Sequence, residues 1–221
     1  LKQLHAAGKQ VVFVNCSGSA MGLVPETESC RAILQAWYPG QAAGVAVADV
    51  LFGDYNPAGR LPITFYKNVD QLPDFEDYNM KGRTYRYFKG EALFPFGHGL
   101  SYTTFTYGQA KLAKAVVKAG NSVELTIPVT NTGKYDGEEV IQVYLNRPAD
   151  VEGPSKTLRA FQRVFLKAGQ KQDVKIQLNP DELVWFDTNS NTMRCIPGEY
   201  KLLYGGTSDS TKLHTVSFRM N

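Results

Sequence analysis

Residues 123–129, VELTIPV, alternate apolar and polar side chains, and this pattern decides the fold of the second half of the chain. Alternation with a period of two is typical of a strand that has one face on a core and the other in water. The turn-forming residues TNTG at 130–133 follow, and the stretch EVIQVYL at 139–145 predicts the next strand. Further strands are predicted at 158–166, 172–178, 183–187, 198–204 and 215–219.

About seven short strands separated by turn residues indicate an antiparallel β-sandwich of the immunoglobulin or fibronectin type III kind. An antibody-type domain would need a pair of cysteines joining the two sheets, and the only cysteine in this region is Cys195. The sequence therefore predicts the fibronectin type III-like form, an all-β sandwich over residues 98–221.

The first half of the chain has a different pattern. Residues 1–8 read as the end of a helix, and the apolar runs VVFV at 11–14 and RAILQAWY at 31–38 predict strands covered on both faces. Small and apolar residues at 41–52 have helical spacing. These features predict a partial α/β sandwich (βαβ, mostly parallel sheet). Because two strands make a poor sheet, we expect it to depend on strands supplied from upstream or by a partner.

An irregular, aromatic-rich stretch from residue 53 to about 99 joins the two halves. Loops of this length in compact domains are uncommon and are more often functional or at an interface. We therefore divide the chain into an incomplete α/β domain with a long aromatic loop, residues 1–97, and the β-sandwich, residues 98–221.

The composition is that of a globular protein and excludes several classes of partner. Hydrophobic residues make up 43% and charged residues 20% of the 221 residues, and no apolar run approaches the length of a membrane span. The net charge of +3 is spread without a basic cluster, so neither nucleic acid nor a membrane surface is predicted as a partner.

The cysteines and histidines have no metal-ligand spacing, so we predict neither a metal site nor a cofactor. The three cysteines are expected to be buried or free thiols, with Cys16 packed at the end of the first strand. We favour a structural role for His98, which stands between two glycines. The histidines are His5, His98 and His214.

Residue types alone assign no catalytic group. Ser17 lies in CSGSA, but a GxSxG nucleophile elbow needs a glycine where Asn15 stands. Two carboxylates facing each other can act as a general acid and a base, but the spacing of the acidic loop residues cannot place such a pair. The ends of the two strands give a location, because ligands of open α/β sheets bind outside the carboxyl ends of the strands. Trp37 and Tyr38 stand at one such end, and flat aromatic rings can pack against the apolar face of a ligand.

Three long motifs, in order and correctly spaced, resemble glycoside hydrolase family 3. They are ILQAWYPGQ at 33–41, ADVLFGDYNPAGRLP at 48–62 and FPFGHGLSYTTF at 94–105. The resemblance covers nearly the whole chain and identifies residues 1–97 with the C-terminal part of the family's α/β sandwich domain. Residues 98–221 then correspond to its fibronectin type III-like domain.

The resemblance implies a β-glycosidase that removes terminal sugars with retention, through a covalent glycosyl intermediate. It also implies a barrel domain that carries the nucleophilic aspartate, and an upstream α/β segment that carries the acid/base glutamate. We therefore expect the isolated chain to be inactive and its partners to be those missing segments and an oligosaccharide substrate. The uncovered apolar surface favours self-association, and the full-length protein is expected to be secreted or periplasmic.

The segment NMKGRTYRYF at 79–88 resembles the xylosidase-like branch of the family, so β-xylosidase is favoured over β-glucosidase. We predict that Asp74, Arg83 and Tyr85 lie near the sugar pocket together with Trp37 and Tyr38. Packing against the barrel domain is the alternative role for the first three. The alternative for the whole chain is a carbohydrate-binding, surface-binding or structural module, which aromatic residues at solvent-facing strand positions would favour.

Overall fold

The first part of the chain is a small α/β unit. The computed structural model describes residues 1–221. The elements of this unit are α1 (Lys2–Ala6), β1 (Val12–Asn15), α2 (Val24–Ser29), β2 (Ala32–Gln35) and α3 (Ala43–Phe52). Strands β1 and β2 pair in parallel and form a sheet of two strands. This arrangement confirms the predicted partial α/β fold.

One helix of this unit was not predicted, and one local prediction is wrong. Helix α2 includes residues 25–29, for which no element was predicted. Pro25 stands in the first turn of that helix, where its fixed φ and missing N–H cost nothing, and Glu26 complements the helix dipole there. Cys16 was expected to be packed but is exposed, because the chain leaves the two-stranded sheet at that point.

Helix α3 shows how little of this unit is covered. None of its residues is buried, although its sequence is AGVAVADVLF, and Val45 and Phe52 are exposed. The helix ends at Gly53, whose φ of 88° is a left-handed cap that glycine adopts without strain. An apolar helix with no buried residue lacks the tertiary packing that supplies most helical stability.

The connecting segment contains little regular structure, as predicted. It has a 3₁₀ turn at Val69–Gln71 and a short helix α4 (Thr84–Tyr87). Phe65 and Phe94 form an antiparallel bridge across it, and Phe65 is 1% exposed. This bridge anchors the two ends of the segment to one another.

The second part is a β-sandwich. One sheet has the order β5 (Val116–Val117), β13 (His214–Met220), β12 (Gly198–Gly205), β7 (Gly137–Asn146), β8 (Thr157–Leu166). In the other sheet β6 (Val123–Asn131) pairs with β3 (Phe105–Tyr107), β4 (Lys111–Leu112) and β9 (Lys171–Leu178). Strands β10 (Trp185–Asp187) and β11 (Thr192–Arg194) form a separate hairpin.

All seven strands predicted for the sandwich are present, and four further ones were missed. The missed strands are β3, β4, β5 and β11, which have only two or three residues each and are too short to show an alternating pattern. The pairing is antiparallel except between β5 and β13, which run parallel. The turn predicted at 130–133 also begins later, because Thr130 and Asn131 still belong to β6.

Asn131 can end a strand inside the core because its amide is fully used. It is 0% exposed, and its Nδ2 donates to the carbonyls of Tyr135 (2.8 Å) and Leu166 (3.0 Å). Its Oδ1 accepts from the Thr103 hydroxyl and from the Gly133 N–H. A buried amide with partners at both ends avoids the cost of an unsatisfied polar group.

The core lies between the two sheets of the sandwich. It is one cluster of 21 buried residues, and β6 contributes Val123, Leu125, Ile127 and Val129, each at most 1% exposed. The prediction from the alternating pattern of VELTIPV is therefore confirmed: these four apolar residues lie on the inner face of the strand.

Replacing Ile127 by Ala should lower the free energy of unfolding by about 2–5 kcal/mol, because it removes buried methylene groups and leaves a cavity. Urea denaturation followed by circular dichroism measures this loss. The control is Val151→Ala, an exposed position at which we expect a change within about 0.5 kcal/mol. Equal effects of the two substitutions would contradict the assignment of the core.

Candidate functional site

Three polar side chains form a network at the carboxyl ends of β1 and β2. Asn15 Nδ2 donates to Gln35 Oε1 (2.6 Å) and to Ser17 Oγ (3.0 Å), and Gln35 Nε2 donates to Ser17 Oγ (3.2 Å). Ser17 Oγ in turn donates to the Ser19 carbonyl. The parallel register places Asn15 opposite Gln35, which brings the two amides together. The network fixes the loops that leave the sheet at this edge, where ligands of α/β sheets bind.

Trp37 and Tyr38 lie beside this network. Trp37 has a φ of 58°, a left-handed conformation that is rare for a bulky residue, and its ring packs edge-on against Phe65 with centroids 6.2 Å apart. Tyr38 is 78% exposed, and its ring covers Gly18 so closely that a Cβ there would lie 2.6 Å from Cε2. Strained backbone of this kind is found most often at functional sites.

Arg83 organises the loop at residues 74–83. Its guanidinium donates to the backbone carbonyls of Asp74 (3.0 Å), Asp77 (2.6 Å) and Asn79 (3.2 Å). The side chain of Asp74 accepts from the Glu76 N–H, and that of Asp77 accepts from the Asn79 N–H. The structure thus brings Asp74 and Arg83 together, with Arg83 as the centre around which the loop folds.

The tip of this loop carries two unpartnered aromatic rings, Phe75 and Tyr78, which are 93% and 91% exposed. The sequence predicted an aromatic-rich segment here but did not assign these two rings to the site. A loop held by three carbonyl contacts can present exposed rings at low entropic cost, since the backbone is already ordered.

Tyr85 lies elsewhere, in the junction between the connecting segment and the sandwich. Its ring stacks on Phe96 with centroids 4.3 Å apart and meets Tyr144 edge-on at 5.8 Å. Its hydroxyl accepts from the Leu158 N–H of β8 at 3.0 Å. These contacts dock α4 on the sandwich, and a sugar-binding role for Tyr85 stays a prediction.

The five candidate residues therefore form three groups: Trp37 with Tyr38, Asp74 with Arg83, and Tyr85 alone. The first two groups are linked through Phe65 and its neighbour Tyr66, whose hydroxyl accepts from the Thr84 N–H at 2.8 Å. Thr84 has a φ of 55°, a second strained position beside Arg83.

The junction also contains a buried ion pair that sequence reasoning missed. Arg60 Nη2 lies 3.1 Å from both carboxylate oxygens of Glu139, and the two side chains are only 9% and 6% exposed. Arg60 Nη1 donates to the carbonyls of Ala58 and Gly59, while Glu139 Oε1 accepts from the Val140 N–H. The two charges come from residues 79 apart in the chain, so nothing in the local pattern announces the pair.

Other polar residues around Arg60 also reach the sandwich. Asn56 Nδ2 donates to the Asp136 carbonyl (2.8 Å), and Tyr55 accepts from Arg163 Nη2 (2.8 Å). Gln142 Nε2 donates to the carbonyls of Gly97 (3.1 Å) and Gly206 (2.8 Å). The motif at 48–62 thus supplies many of the contacts that fix one domain on the other.

The carboxyl groups with a resolved pKa shift suit structural roles. The Asn79 backbone N–H holds the pKa of Asp77 below its ordinary value, and the Lys81 ammonium does the same for Glu152. The pKa values of Asp187 and Asp209 are lowered as well. A general acid in a glycosidase needs a raised pKa instead, because it must hold its proton near neutral pH.

Histidine, cysteine, aspartate and glutamate side chains nowhere come together in threes as a metal ion would require. None of the helices has the length and apolarity needed to cross a bilayer. All three cysteines are free.

Both parts of the chain are similar to domains of known proteins. Residues 1–102 match the family description "Glycosyl hydrolase family 3 C-terminal domain", and residues 139–208 match "Fibronectin type III-like domain". A xylan 1,4-β-xylosidase of Xylanibacter ruminicola is 60% identical over 94% of this chain and 24% of its own length. A periplasmic β-glucosidase of Salmonella typhimurium is 36% identical over 98% of this chain and 30% of its own length.

Solved structures of β-glucosidases share the fold. The enzyme from Erythrobacter marinus superposes with a TM-score of 0.86 at 35% identity, over 100% of this chain and 29% of its own. The enzyme from Listeria innocua in complex with glucose superposes with a TM-score of 0.85 at 28% identity, over 100% and 32% of the two chains.

Replacing Arg60 by Met should lower the free energy of unfolding by about 3–5 kcal/mol, because it leaves the Glu139 carboxylate buried without its partner. Combining it with Glu139→Met should recover much of this loss, since no buried charge then remains. Urea denaturation of the three variants measures both effects.

The matched control is Arg219→Met, which breaks the exposed pair between Arg219 and Glu199, both 61% exposed. We expect a change of about 0–1 kcal/mol there. A loss at Arg60 no larger than the loss at Arg219 would refute the role of the buried pair.

Proposed function

We propose that this chain, which belongs to glycoside hydrolase family 3, is the carboxyl-terminal part of a retaining β-glycosidase that removes terminal β-linked sugars. The chain spans between 24% and 31% of the length of three curated relatives that it matches, two of which are named above. The activity is accordingly that of the whole enzyme, in which these residues form one side of the structure.

The observation that carries the proposal is the 60% identity to a xylan 1,4-β-xylosidase over 94% of this chain. The periplasmic β-glucosidase matches over a similar length at 36%. This difference favours a β-xylosidase, with a β-glucosidase as the next choice, and it agrees with the resemblance of NMKGRTYRYF at 79–88 to the xylosidase-like branch.

We further propose that the isolated chain is inactive. Retaining glycosidases need two carboxyl groups about 5 Å apart, one of them with a raised pKa. The resolved carboxyl shifts in this chain are downward and are caused by hydrogen bonds within turns and ion pairs, as at Asp77 and Glu152. The family resemblance assigns the nucleophile and the acid/base residue to the barrel and the upstream α/β segment.

In the intact enzyme, Trp37 and Tyr38 would form part of the sugar-binding wall at the carboxyl edge of the sheet. Tyr38 is exposed there and backed by Gly18, so its ring is presented to whatever occupies that edge. Asp74 and Arg83 would fix the conformation of the neighbouring loop. Tyr85 would hold helix α4, which follows that loop, against the sandwich. Trp37 and Tyr38 would thus contact the substrate, and the other three residues would position the loops around it.

In the full-length enzyme, Tyr38→Ala should lower kcat/KM for nitrophenyl β-xyloside by up to about tenfold, the equivalent of about 1.4 kcal/mol of stacking. The 221-residue chain alone should show no turnover of nitrophenyl xyloside or glucoside. Tyr135→Ala, at an exposed position on the sandwich, is the matched control and should leave kcat/KM unchanged.

Three outcomes would overturn parts of this proposal. Robust turnover by the isolated chain would refute its inactivity, and a kcat/KM for the glucoside above that for the xyloside would refute the sugar preference. A Tyr38→Ala enzyme as active as the wild type would remove Tyr38 from the pocket.

A binding or structural module is the second candidate, and one observation favours it. Phe161 and Phe165 are exposed on β8, which is an edge strand of its sheet, and they flank Arg163 on the same outward face. Aromatic rings along a strand are one way to bind a polysaccharide. Arg163 is, however, bound to Tyr55 and Glu138, which makes this face continuous with the junction.

Affinity electrophoresis of the chain in gels that contain soluble xylan separates the two candidates. We expect no retardation of the wild-type chain, because we assign this face to packing. Retardation that is abolished in Phe161→Ala/Phe165→Ala, and kept in the control Tyr135→Ala, would establish the binding module instead.

A further inference from the structure

A cavity of about 470 Å³ lies in the junction between the two domains, away from the strand ends discussed above. The connecting segment and the sandwich both contribute chargeable side chains to its wall. They are Arg60 and His98 from the connecting segment, and Tyr107, Glu139, Lys212 and His214 from the sandwich.

Positive charge exceeds available negative charge in this cavity. Glu139 is the only acidic residue in its wall, and both of its oxygens are already bound by Arg60. Lys212 Nζ makes one long ion-pair contact, 3.8 Å to Oδ2 of Asp209, which lies outside the wall. The ammonium of Lys212 lines the cavity and can still donate to a ligand there.

The Tyr107 hydroxyl adds no negative charge to the wall. Burial raises its pKa well above the ordinary value, and the neighbouring Glu139 carboxylate raises it further. The phenol is therefore neutral at physiological pH, and a bound anion would meet no second anionic group in the wall.

The two imidazoles are held in place by stacking. The ring of His98 stacks on Phe94 with centroids 5.3 Å apart, and its backbone is fixed by bonds to Pro95 and Leu61. The ring of His214 stacks on Tyr204, also at 5.3 Å. Stacked rings in fixed positions can donate N–H groups to a ligand with little loss of conformational freedom.

The titration of His98 agrees with an excess of positive charge around it. Its pKa is lowered, first by burial and then by the charges of Lys212 and Arg60, against the opposing effect of Asp209. An anion placed among these groups would reverse the effect and raise the pKa of His98, because it favours the protonated imidazole.

Glycines keep the cavity open beside the buried ion pair. A Cβ at Gly206 would lie 2.9 Å from Glu139 Oε1, and one at Gly99 would lie 2.2 Å from the Gly59 carbonyl oxygen. Side chains at these two positions would displace the wall, so the site depends on the absence of a side chain at each.

We propose that this cavity binds a small oxyanion, a phosphate or a carboxylate, through Lys212, His98 and His214. The ligand oxygens accept hydrogen bonds from the ammonium and the imidazole N–H groups. Because His98 lies at the end of the connecting segment and the other two residues lie in strands and turns of the sandwich, the bound anion ties this segment to the sandwich at a second point beside the Arg60–Glu139 pair. This site is independent of the sugar pocket and of the proposed glycosidase activity.

The test is a titration of the 221-residue chain with sodium phosphate, at an ionic strength held constant with sodium chloride. Nuclear magnetic resonance follows the imidazole signals of the three histidines, and the melting temperature is recorded in parallel. We expect saturable shifts at His98 and His214, an unchanged His5 signal, a raised pKa of His98 in the bound state, and a rise in melting temperature.

Lys212→Gln should weaken phosphate binding by about tenfold or more, since a charge-assisted hydrogen bond is lost. The matched control is Lys175→Gln, an exposed lysine on the sheet that does not line the cavity, which should bind like the wild type. Both substitutions are at the surface and leave the core intact, so the comparison does not depend on a folding defect.

A second titration with sodium glucuronate separates the two sources of the oxyanion. Saturation by phosphate alone assigns a phosphate site, and saturation by glucuronate alone assigns a carboxylate site. Saturation by both assigns a general oxyanion site. Shifts that follow only ionic strength, or that are equal in Lys212→Gln and Lys175→Gln, would overturn the proposal.

Discussion

The ion pair between Arg60 and Glu139 is the constraint on which the rest of the structure depends. Both charges are removed from water, so each needs the other, and backbone groups of Ala58, Gly59 and Val140 supply further hydrogen bonds, while Arg60 Nε has no partner. That requirement allows one position of the connecting segment on the sandwich. Gly99, where a side chain would strike Gly59, and Gly206, where one would strike Glu139, allow the close approach that the pair requires.

From this fixed point a row of aromatic rings leads to the edge of the two-stranded sheet. His98 stacks on Phe94, Phe94 meets Phe65 at 6.1 Å, and Phe65 meets Trp37 at 6.2 Å. The sandwich thus influences the strand ends through packed rings, although it lies far from them in sequence. In the proposed enzyme, this packing would let the β-sandwich hold the strand ends, which we propose as one wall of the sugar pocket, in position.

The two domains differ in how completely they are folded as units. The sandwich has a core of 21 buried residues, whereas α3 has none and leaves Val45 and Phe52 in solvent. An apolar face of this kind requires a cover, and in the proposed intact enzyme the upstream strands and the barrel supply it. Self-association through the same surface stays a prediction for the isolated chain.

The sequence by itself determined the parallel pair of strands, the seven longer strands of the sandwich and the family. These properties follow from local periodicity and from contiguous motifs, which can be read along the chain. Elements of two or three residues, such as β4 and β5, are held by their partners and show no period of their own. The exposure of Cys16 and the presence of helix α2 also could not be read from the periodicity of the sequence.

Only the tertiary structure decided which polar residues meet. Arg60 and Glu139 are distant in the chain, as are the groups of the junction cavity, and their contacts arise when the two domains dock. The ring and hydroxyl of Tyr85 pack in the junction, whereas Asp74 and Arg83 meet within one loop. The physical reason is that side-chain periodicity reports which face of an element is covered, whereas a site is made by the three-dimensional approach of faces from separate elements.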